Sequence, residues 1–486
     1  MNTTHSDAAS DSNLTWETID WKKCEKVVRG LQRQIAKSAN NQEWRKVRLL
    51  QDKLVSSLSA KLLAVRRVSE MNQGKRTAGV DGIAWLTPEA KLNGALSLVK
   101  QGYKPSPLKR IYIPKKNGKK RPLSIPTIKD RAMQSLYLLA LEPVAEVWAD
   151  KRSYGFRPHR GCHDAIEQTF NSLSMKDNAQ WILEGDIEGC FDNIDHGWLI
   201  ENIPMDKTIL SMWLKARVIL NGELSWLESG TPQGGTISPC LSNMALDGLE
   251  RMLTEEFPNK KRRRLQGIQQ RGFKVNFVRY ADDFIITGES KELLEDEVKP
   301  RVERFLAERG LRLSPEKTKI TNIYDGFDFL GFNIRKYQNN TLIIKPSKEG
   351  IQNLLRKVKG IIRAMRPATQ ADLVTALNPV IRGWGNYYRH CVCKNTFRTI
   401  DHLIWQKLWR WCCRRHPNKG KFWIKNKYFY AKDGRDWLFG EYGEFSLVRL
   451  GAIKVDRHVK IKMDANPYLP EWFDYFERKV SDLQTE

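Results

Sequence analysis

Phe277-Val278-Arg279-Tyr280-Ala281-Asp282-Asp283-Phe284-Ile285-Ile286 is the stretch on which the reading of this chain turns. Two adjacent carboxylates lie between two apolar runs. The β-formers on both sides predict two strands with a tight connection, although no Gly, Asn or Ser stands between them. Such a hairpin tip presents two hard oxygen ligands. Mg²⁺ favours carboxylates of this kind and keeps positions open for water and phosphate. Asp186, at the end of Trp181-Ile182-Leu183-Glu184-Gly185-Asp186, is a candidate third carboxylate. Three carboxylates can hold two ions about 3.5–4 Å apart, an arrangement suited to in-line displacement at phosphorus. A solvated acidic turn is the alternative for the tetrapeptide Tyr280-Ala281-Asp282-Asp283 taken alone.

The tetrapeptide does not stand alone. Asp186-Ile187-Glu188-Gly189-Cys190-Phe191-Asp192 places an aromatic five residues after a carboxylate. Gly230-Thr231-Pro232-Gln233-Gly234-Gly235, Ile237-Ser238-Pro239 with Asn243, and Phe329-Leu330-Gly331-Phe332 surround it in order. The series resembles reverse transcriptases. Gly79-Val80-Asp81-Gly82, Ile113-Pro114-Lys115, Ser153-Tyr154-Gly155-Phe156-Arg157-Pro158 and Ile381-Arg382-Gly383-Trp384 narrow the likeness to proteins encoded by bacterial group II introns. It runs from about residue 20 to about residue 475.

Composition agrees with a polyanionic partner. The chain has 486 residues, a length that implies two to four domains, and 41% of them are hydrophobic, enough for substantial cores. Its formal net charge of +26 points first to nucleic acid. A membrane surface would instead call for a clustered basic amphipathic helix, and Lys and Arg are spread along the chain. The apolar run Leu136–Leu141 stops at Glu142, far short of a membrane span. The first 21 residues hold Asp7, Asp11, Glu17 and Asp20 but no Lys or Arg, against a signal or transit peptide. Eight scattered cysteines suit reduced cytosolic thiols. The expected location is a bacterial cytoplasm, in association with the nucleoid.

Residues 1–13 are polar, and a disordered N-terminus is expected over 1–21. From about 22 to 70 the chain reads as helical, with one apolar stripe through Val47, Leu50, Leu54, Leu58, Leu62, Val65 and Val68. Residues 109–125 read as a β-hairpin around Asn117-Gly118, with the basic tip Lys115, Lys116, Lys119, Lys120 and Arg121. A helix is expected from Ala132 to Trp148. Lys260-Lys261-Arg262-Arg263-Arg264 is a charge run in a surface loop, equally consistent with RNA contact and with simple solvation. Three helices over 347–366, 369–389 and 394–415 predict a small bundle, and 417–486 reads as mixed strands and turns.

The resemblance implies an α+β right-hand polymerase of fingers, palm and thumb, the thumb doubling as the maturase X domain, with a small C-terminal DNA-binding region. Its implied divisions are an N-terminal extension and start of the fingers over 22–100, fingers and palm over 101–335, thumb over 345–416 and DNA-binding region over 417–486. It selects Asp186, Asp282 and Asp283 as catalytic ligands of two Mg²⁺ ions, with the backbone of Ile187 as a further ligand. Spacing alone leaves Glu188, Asp192 and Asp195 open, and these are expected to serve structure or solvent. Lys115 and Arg121 match positions that contact incoming nucleotide phosphates. Phe191 matches the aromatic that excludes a ribose 2′-hydroxyl, with an ordinary core Phe as the alternative, and Gln233 matches a residue near the nascent base pair.

The implied activity is RNA-directed DNA synthesis from dNTPs on a primer-template duplex, joined to binding of the parent intron RNA to assist splicing. Target-primed copying at a DNA site would support mobility. No endonuclease module is expected after Pro470-Glu471-Trp472-Phe473. Trp384, Tyr387, Tyr388, Trp405, Trp409 and Trp411 lie among Arg and Lys, yet at helical spacing most are expected to be packing. His390, Cys391, Cys393, His402, Cys412, Cys413 and His416 match no standard zinc spacing, and free thiols near a helix interface are expected. A domesticated reverse transcriptase in defence or repair, a noncatalytic RNA-binding splicing factor and an RNA-directed RNA polymerase are the alternatives. Oligomeric state is not legible.

Overall fold

A computed structural model of the chain describes residues 14–114, 118, 120–226, 229–232, 234–258 and 272–484, with side chains described through 479. The expected disorder of 1–13, the residues Lys115, Lys116, Asn117, Lys119 and Gln233, and the run Lys260–Arg264 lie outside the described residues. The disorder expected over 1–21 does not hold for the described residues 14–21. Trp16 and Ile19 are buried, and the Trp16 indole donates to Glu70 Oε1 at 2.8 Å.

The helical region is broken into pieces. Asp20 caps the helix Trp21–Asn40, accepting from Lys23 N at 3.0 Å. Helices Trp44–Ser56 and Leu58–Arg66 follow, then a wide turn over Arg67–Met71. Ser57 is extended (ψ 130°), which resets the helical phase. The expected stripe therefore fails at one place: Val47, Leu54, Leu62, Val65 and Val68 are buried, Leu50 is half-buried, and Leu58 is 42% exposed. These helices pack on Ile128–Trp148, which starts four residues earlier than expected because Thr127 caps it.

Strand β1 (Leu108–Pro114) pairs antiparallel with β2 (Lys120–Ile125), so the expected hairpin forms, with Ile113 opposite Arg121. Strands β3 (Trp181–Asp186), β4 (Val218–Leu220), β5 (Glu223–Ser225), β6 (Asn276–Tyr280), β7 (Asp283–Gly288) and β8 (Lys319–Asn322) follow. The first sheet has the order β2-β1-β4-β5 and the second β6-β7-β3-β8.

The second sheet is buried on both faces, which explains why its strands read as unbroken apolar runs. Leu183, Phe277, Phe284 and Ile286 join the core built with the N-terminal helices. Ile182, Val278 and Ile285 join a second core built with the C-terminal helices. Strands β9 (Phe327–Phe329), β10 (Phe332–Lys336) and β11 (Leu342–Pro346) make a small antiparallel sheet leading to the helices Lys348–Ala364, Gln370–Tyr388 and Lys394–Arg415. The three-helix expectation holds within two residues at each end. Beyond residue 416 the chain carries more helix than expected, with Lys421–Tyr428 and Phe473–Gln484 on either side of β12 (Phe429–Lys432), β13 (Arg435–Glu441) and β14 (Phe445–Ser446).

Candidate active site

Strand register assembles the carboxylates. Asp186, the last residue of β3, lies directly opposite Asp283, the first residue of β7. Asp282 belongs to the two-residue connection Ala281-Asp282, and Tyr280 pairs with Asp283 across it. Residues directly opposite in an antiparallel pair have Cα atoms about 4.5–5.5 Å apart. Three carboxylates from positions nearly a hundred residues apart thus share one sheet edge.

The tight connection forms without Gly because Ala281 takes a left-handed backbone (φ +58°) and is held from beneath. Arg279, fully buried, donates to Asn243 Oδ1 at 3.1 Å and Asp247 Oδ1 at 2.5 Å. Asn243 Nδ2 in turn donates to Gly155 O at 2.8 Å. Gly155 rests on the turn so closely that a Cβ there would fall 2.3 Å from Ala281 N. The Ser153–Pro158 segment is therefore the floor of the hairpin. Arg157 anchors it through a buried ion pair with Glu146 at 2.9 Å and bonds to Asp150 O and Ser153 O.

Like charges facing one another across a sheet repel. Burial, and then the charges of Asp282 and Asp186, push the Asp283 carboxyl up to about 6. Burial raises Asp282 as well, with Asp186 adding to it and Arg121 and Lys317 opposing. Among the described residues Lys317 answers this charge directly: its Nζ donates to both Asp186 oxygens, at 2.8 and 2.9 Å. Its bond to Asp186 raises the Lys317 ammonium pKa. Among the described residues no group of three or more His, Cys, Asp or Glu side chains is gathered as a ready metal site. The donor set nevertheless fits a hard divalent cation: opposed carboxylates that repel, with an ammonium held where positive charge is wanted.

Arg121 is exposed on β2, and its charge opposes the rise at Asp282. Phe191 is half-buried in the short helix Cys190–Asn193 just after β3, its ring edge-on to Phe156 at 6.1 Å. Its carbonyl accepts from Thr231 N, tying the Gly230–Pro232 segment to the same place. Lys115 and Gln233 lie outside the described residues. Ile187 is buried and forms an isolated bridge with Leu313.

Two of the other nearby carboxylates have structural work. Glu188 pairs with Arg312 at 2.8 Å, and Asp195 caps the helix His196–Asn202 by accepting from Trp198 N. The eight cysteines are free, and the His and Cys residues of 390–416 are dispersed: His390 contacts Asp456 O, His402 stacks on Trp405, and His416 meets the Tyr428 hydroxyl. Tyr388 and Trp411 are buried, while Trp384, Tyr387, Trp405 and Trp409 are half-buried against the second core. Lys317 is the site residue that sequence reasoning missed.

Three family models match this chain: "Reverse transcriptase (RNA-dependent DNA polymerase)" over residues 113–334, "N-terminal domain of reverse transcriptase" over 16–98, and "Group II intron, maturase-specific domain" over 351–429. The group II intron-encoded protein LtrA of Lactococcus lactis subsp. cremoris is 30% identical over 447 residues, covering 75% of this chain and 74% of that protein. This chain belongs to the group II intron-encoded reverse transcriptases. Protein YkfC of Escherichia coli (strain K12) is 34% identical over 305 residues, 56% of this chain and 79% of that one. An uncharacterized 91 kDa protein in the cob intron of Schizosaccharomyces pombe is 29% identical over 380 residues, 63% of this chain and 46% of that one.

The reverse transcriptase match covers the second sheet, all three carboxylates and the first sheet apart from most of β1, and the maturase-specific match covers the helices Lys348–Ala364, Gln370–Tyr388 and Lys394–Arg415 apart from the first three residues. The enzyme is an RNA-directed DNA polymerase of α+β polymerase fold that also assists intron splicing, and it is divalent-metal-dependent as its reverse transcriptase domain implies. Its partners are nucleic acids, group II intron RNA among them. Among the described residues no helix is long and apolar enough to cross a membrane.

Proposed function

We propose that this reverse transcriptase uses Asp186, Asp282 and Asp283 to hold two Mg²⁺ ions, joined by the backbone of Ile187. The register of Asp186 opposite Asp283, with Asp282 at the turn between β6 and β7, carries the reading. Bound there, the ions would lower the pKa of the primer 3′-hydroxyl and neutralise charge on the triphosphate and leaving pyrophosphate. The chain's own residues bind and orient around that edge. Arg121, with Lys115 on the same hairpin, receives the dNTP phosphates; an arginine fork matches phosphate oxygens in two-point contact. Lys317 keeps Asp186 oriented and its charge compensated. Phe191, steadied by Phe156, fills the space a 2′-hydroxyl would need, and Gln233 lies by the nascent pair.

In this reading residues 22–100 are the N-terminal extension and start of the fingers, 101–335 fingers and palm, 345–416 thumb and 417–486 a region for target DNA. The primer-template duplex runs over the carboxylate edge, and copying starts from a DNA 3′ end at the target site. The reading puts this work inside a bacterial cytoplasm, close to the nucleoid.

Asp282→Asn tests the ligand assignment, because it removes one charge with almost no change of shape. Primer extension on RNA should fall about 10³-fold, the rate equivalent of the several kcal/mol a catalytic metal supplies. Intron RNA affinity should stay at the wild-type value. Near-normal divalent-dependent extension by the folded variant would sink the assignment.

A further inference from the structure

Phe156 departs from its surroundings in the floor of the carboxylate hairpin. Its backbone is left-handed (φ +58°), a conformation that a bulky side chain rarely takes. Its ring is 52% exposed, although Tyr154 and Arg157 on either side are buried. The ring meets Phe191 edge-on, with centroids 6.1 Å apart, within the range favoured by aromatic pairs. Neither ring belongs to a hydrophobic core among the described residues. Core packing therefore does not account for the pair.

The strained residue is held from both flanks. Tyr154 N donates to Arg279 O at 2.9 Å, and Asn243 Nδ2 donates to Gly155 O at 2.8 Å. On the other side the Arg157 guanidinium bonds to Asp150 O, Ser153 O and Glu146. Between these anchors the left-handed turn leaves the Phe156 ring outside, against Phe191. Backbone in a sparsely populated region costs free energy and persists only where its surroundings over-determine it; such residues cluster at active sites. Gly155, the preceding residue, lies against the Ala281 turn that carries Asp282. Phe156 is thus set between the carboxylate hairpin and the residue five positions after Asp186.

The open side of the pair has a definite chemistry. Two phenyl rings offer carbon surface and no strong hydrogen-bond partner. A deoxyribose C2′ methylene loses nothing against such a wall. A ribose 2′-hydroxyl gives up its water and gains no replacement. Bulk at Phe191 excludes that hydroxyl by volume, whereas an apolar wall excludes it by desolvation. An apolar pocket rejects an added hydroxyl by about 10²-fold at most, so one of two rings supplies about tenfold.

We propose that Phe156 is a second specificity-determining residue, its exposed ring forming with Phe191 an apolar wall against C2′ of the incoming deoxynucleotide. The inference rests on the reading of Phe191 as the sugar gate and adds the second residue of that site.

The test is single-nucleotide extension by the full-length protein on an RNA template. It measures kcat/KM for a dNTP, the matching NTP and the matching 2′-fluoro-dNTP. Phe156→Asn removes the ring and installs a residue that tolerates a left-handed backbone. It should lower the dNTP-to-NTP ratio of kcat/KM about tenfold. The ratio of dNTP to its 2′-fluoro analogue, which has no hydroxyl to desolvate, should move less than about threefold. Phe156→Gly suits the same backbone and should act alike, and it decides the matter if the Asn variant fails to fold. A dNTP-to-NTP ratio within about twofold of wild type overturns the assignment, equal weakening of both substrates included. The double variant Phe191→Val/Phe156→Asn separates a wall from a prop. Its ratio should fall well below that of Phe191→Val alone; a double variant no worse than Phe191→Val means that Phe156 acts only through its neighbour, and overturns direct contact. If Phe191→Val leaves the ratio at the wild-type value, the gate reading fails, while Phe156 is still judged by its own ratio.

Discussion

Gly155→Ala tests whether the floor beneath the carboxylate hairpin fixes its catalytic geometry. An added Cβ would meet Ala281 N at 2.3 Å, Tyr280 C at 3.0 Å and Ala281 Cα at 3.1 Å. Relaxed contacts lie near 3.5–4.0 Å, so backbone must move by about 1 Å. The Gly155 segment has little room to retreat. Tyr154 N donates to Arg279 O at 2.9 Å, Asn243 holds Gly155 O, and Arg157 is locked to Glu146. The turn bearing Asp282 must give instead. Overpacking of this kind costs about 1–3 kcal/mol of stability. A misplacement of about 1 Å at a reacting centre costs about 10²-fold in rate. Single-nucleotide extension on an RNA template should therefore drop about 100-fold, while intron RNA affinity stays unchanged and the melting temperature falls modestly. Gly30→Ala is the control: nothing lies within 4 Å of its Cβ, and inside a helix Ala gains up to about 1 kcal/mol over Gly. Extension by folded Gly155→Ala within threefold of wild type would refute the claim that this contact positions the carboxylates.

The Asp283 carboxyl, raised to about 6 from an ordinary 3.8, keeps a proton in the folded protein between about pH 4 and 6 that the unfolded chain has released. Its contribution to folding stability therefore declines as pH rises through that window, and a bound cation must displace the proton. At sub-saturating divalent cation, extension should fall as pH drops below about 6, and tenfold more metal should move the midpoint down by about one unit; a midpoint that ignores metal concentration counts against the ligand role. Phe191→Val should raise the ratio of ribonucleotide to deoxynucleotide incorporation in single-nucleotide extension, whereas equal weakening of both would make Phe191 a packing residue. Glu146→Gln strands the buried Arg157 guanidinium and should cost about 3–5 kcal/mol by denaturant unfolding, a loss under 1 kcal/mol speaking against the anchor.

What the sequence discloses depends on whether a feature is local. The hairpin at Asp282-Asp283 is legible because both strands are dense in β-formers within a dozen residues. The carboxylate partner Asp186 is legible only through its motif, since the pairing of β3 with β7 joins distant segments. Lys317 carries no such mark. It reaches Asp186 across 131 residues because Ser314 N donates to Asp186 O at 2.8 Å and Ile187 bridges Leu313, an irregular contact that periodicity does not encode. Arg279 offered a signal that went unused: a cation between Val278 and Tyr280, inside a strand buried on both faces, must have buried partners. The misread at Leu58 has the opposite cause. A stripe continued through Ser57 assumes one unbroken helix, and a single extended residue rotates everything after it.

The arrangement of these parts separates two electrostatic tasks within one chain. A protein of net charge +26 must draw polyanions to most of its surface, yet its reaction edge must collect metal cations. The central sheet reconciles the two. Its faces are covered by different cores, and its strand ends and turn bring the charges of Asp186, Asp282 and Asp283 together. Beneath them the cations Arg279 and Arg157 are spent on buried partners, Asp247 and Glu146, and leave the acidic edge largely uncancelled. In the C-terminal helices the pattern is reversed: Arg363, Arg366, Lys407 and Arg414 have no described acidic partner. Acids compensated from outside by metal, and cations compensated from outside by nucleic acid, are each incomplete in the isolated protein. In the proposed reading the RNA supplies the template to the first set, while the primer end comes from target DNA.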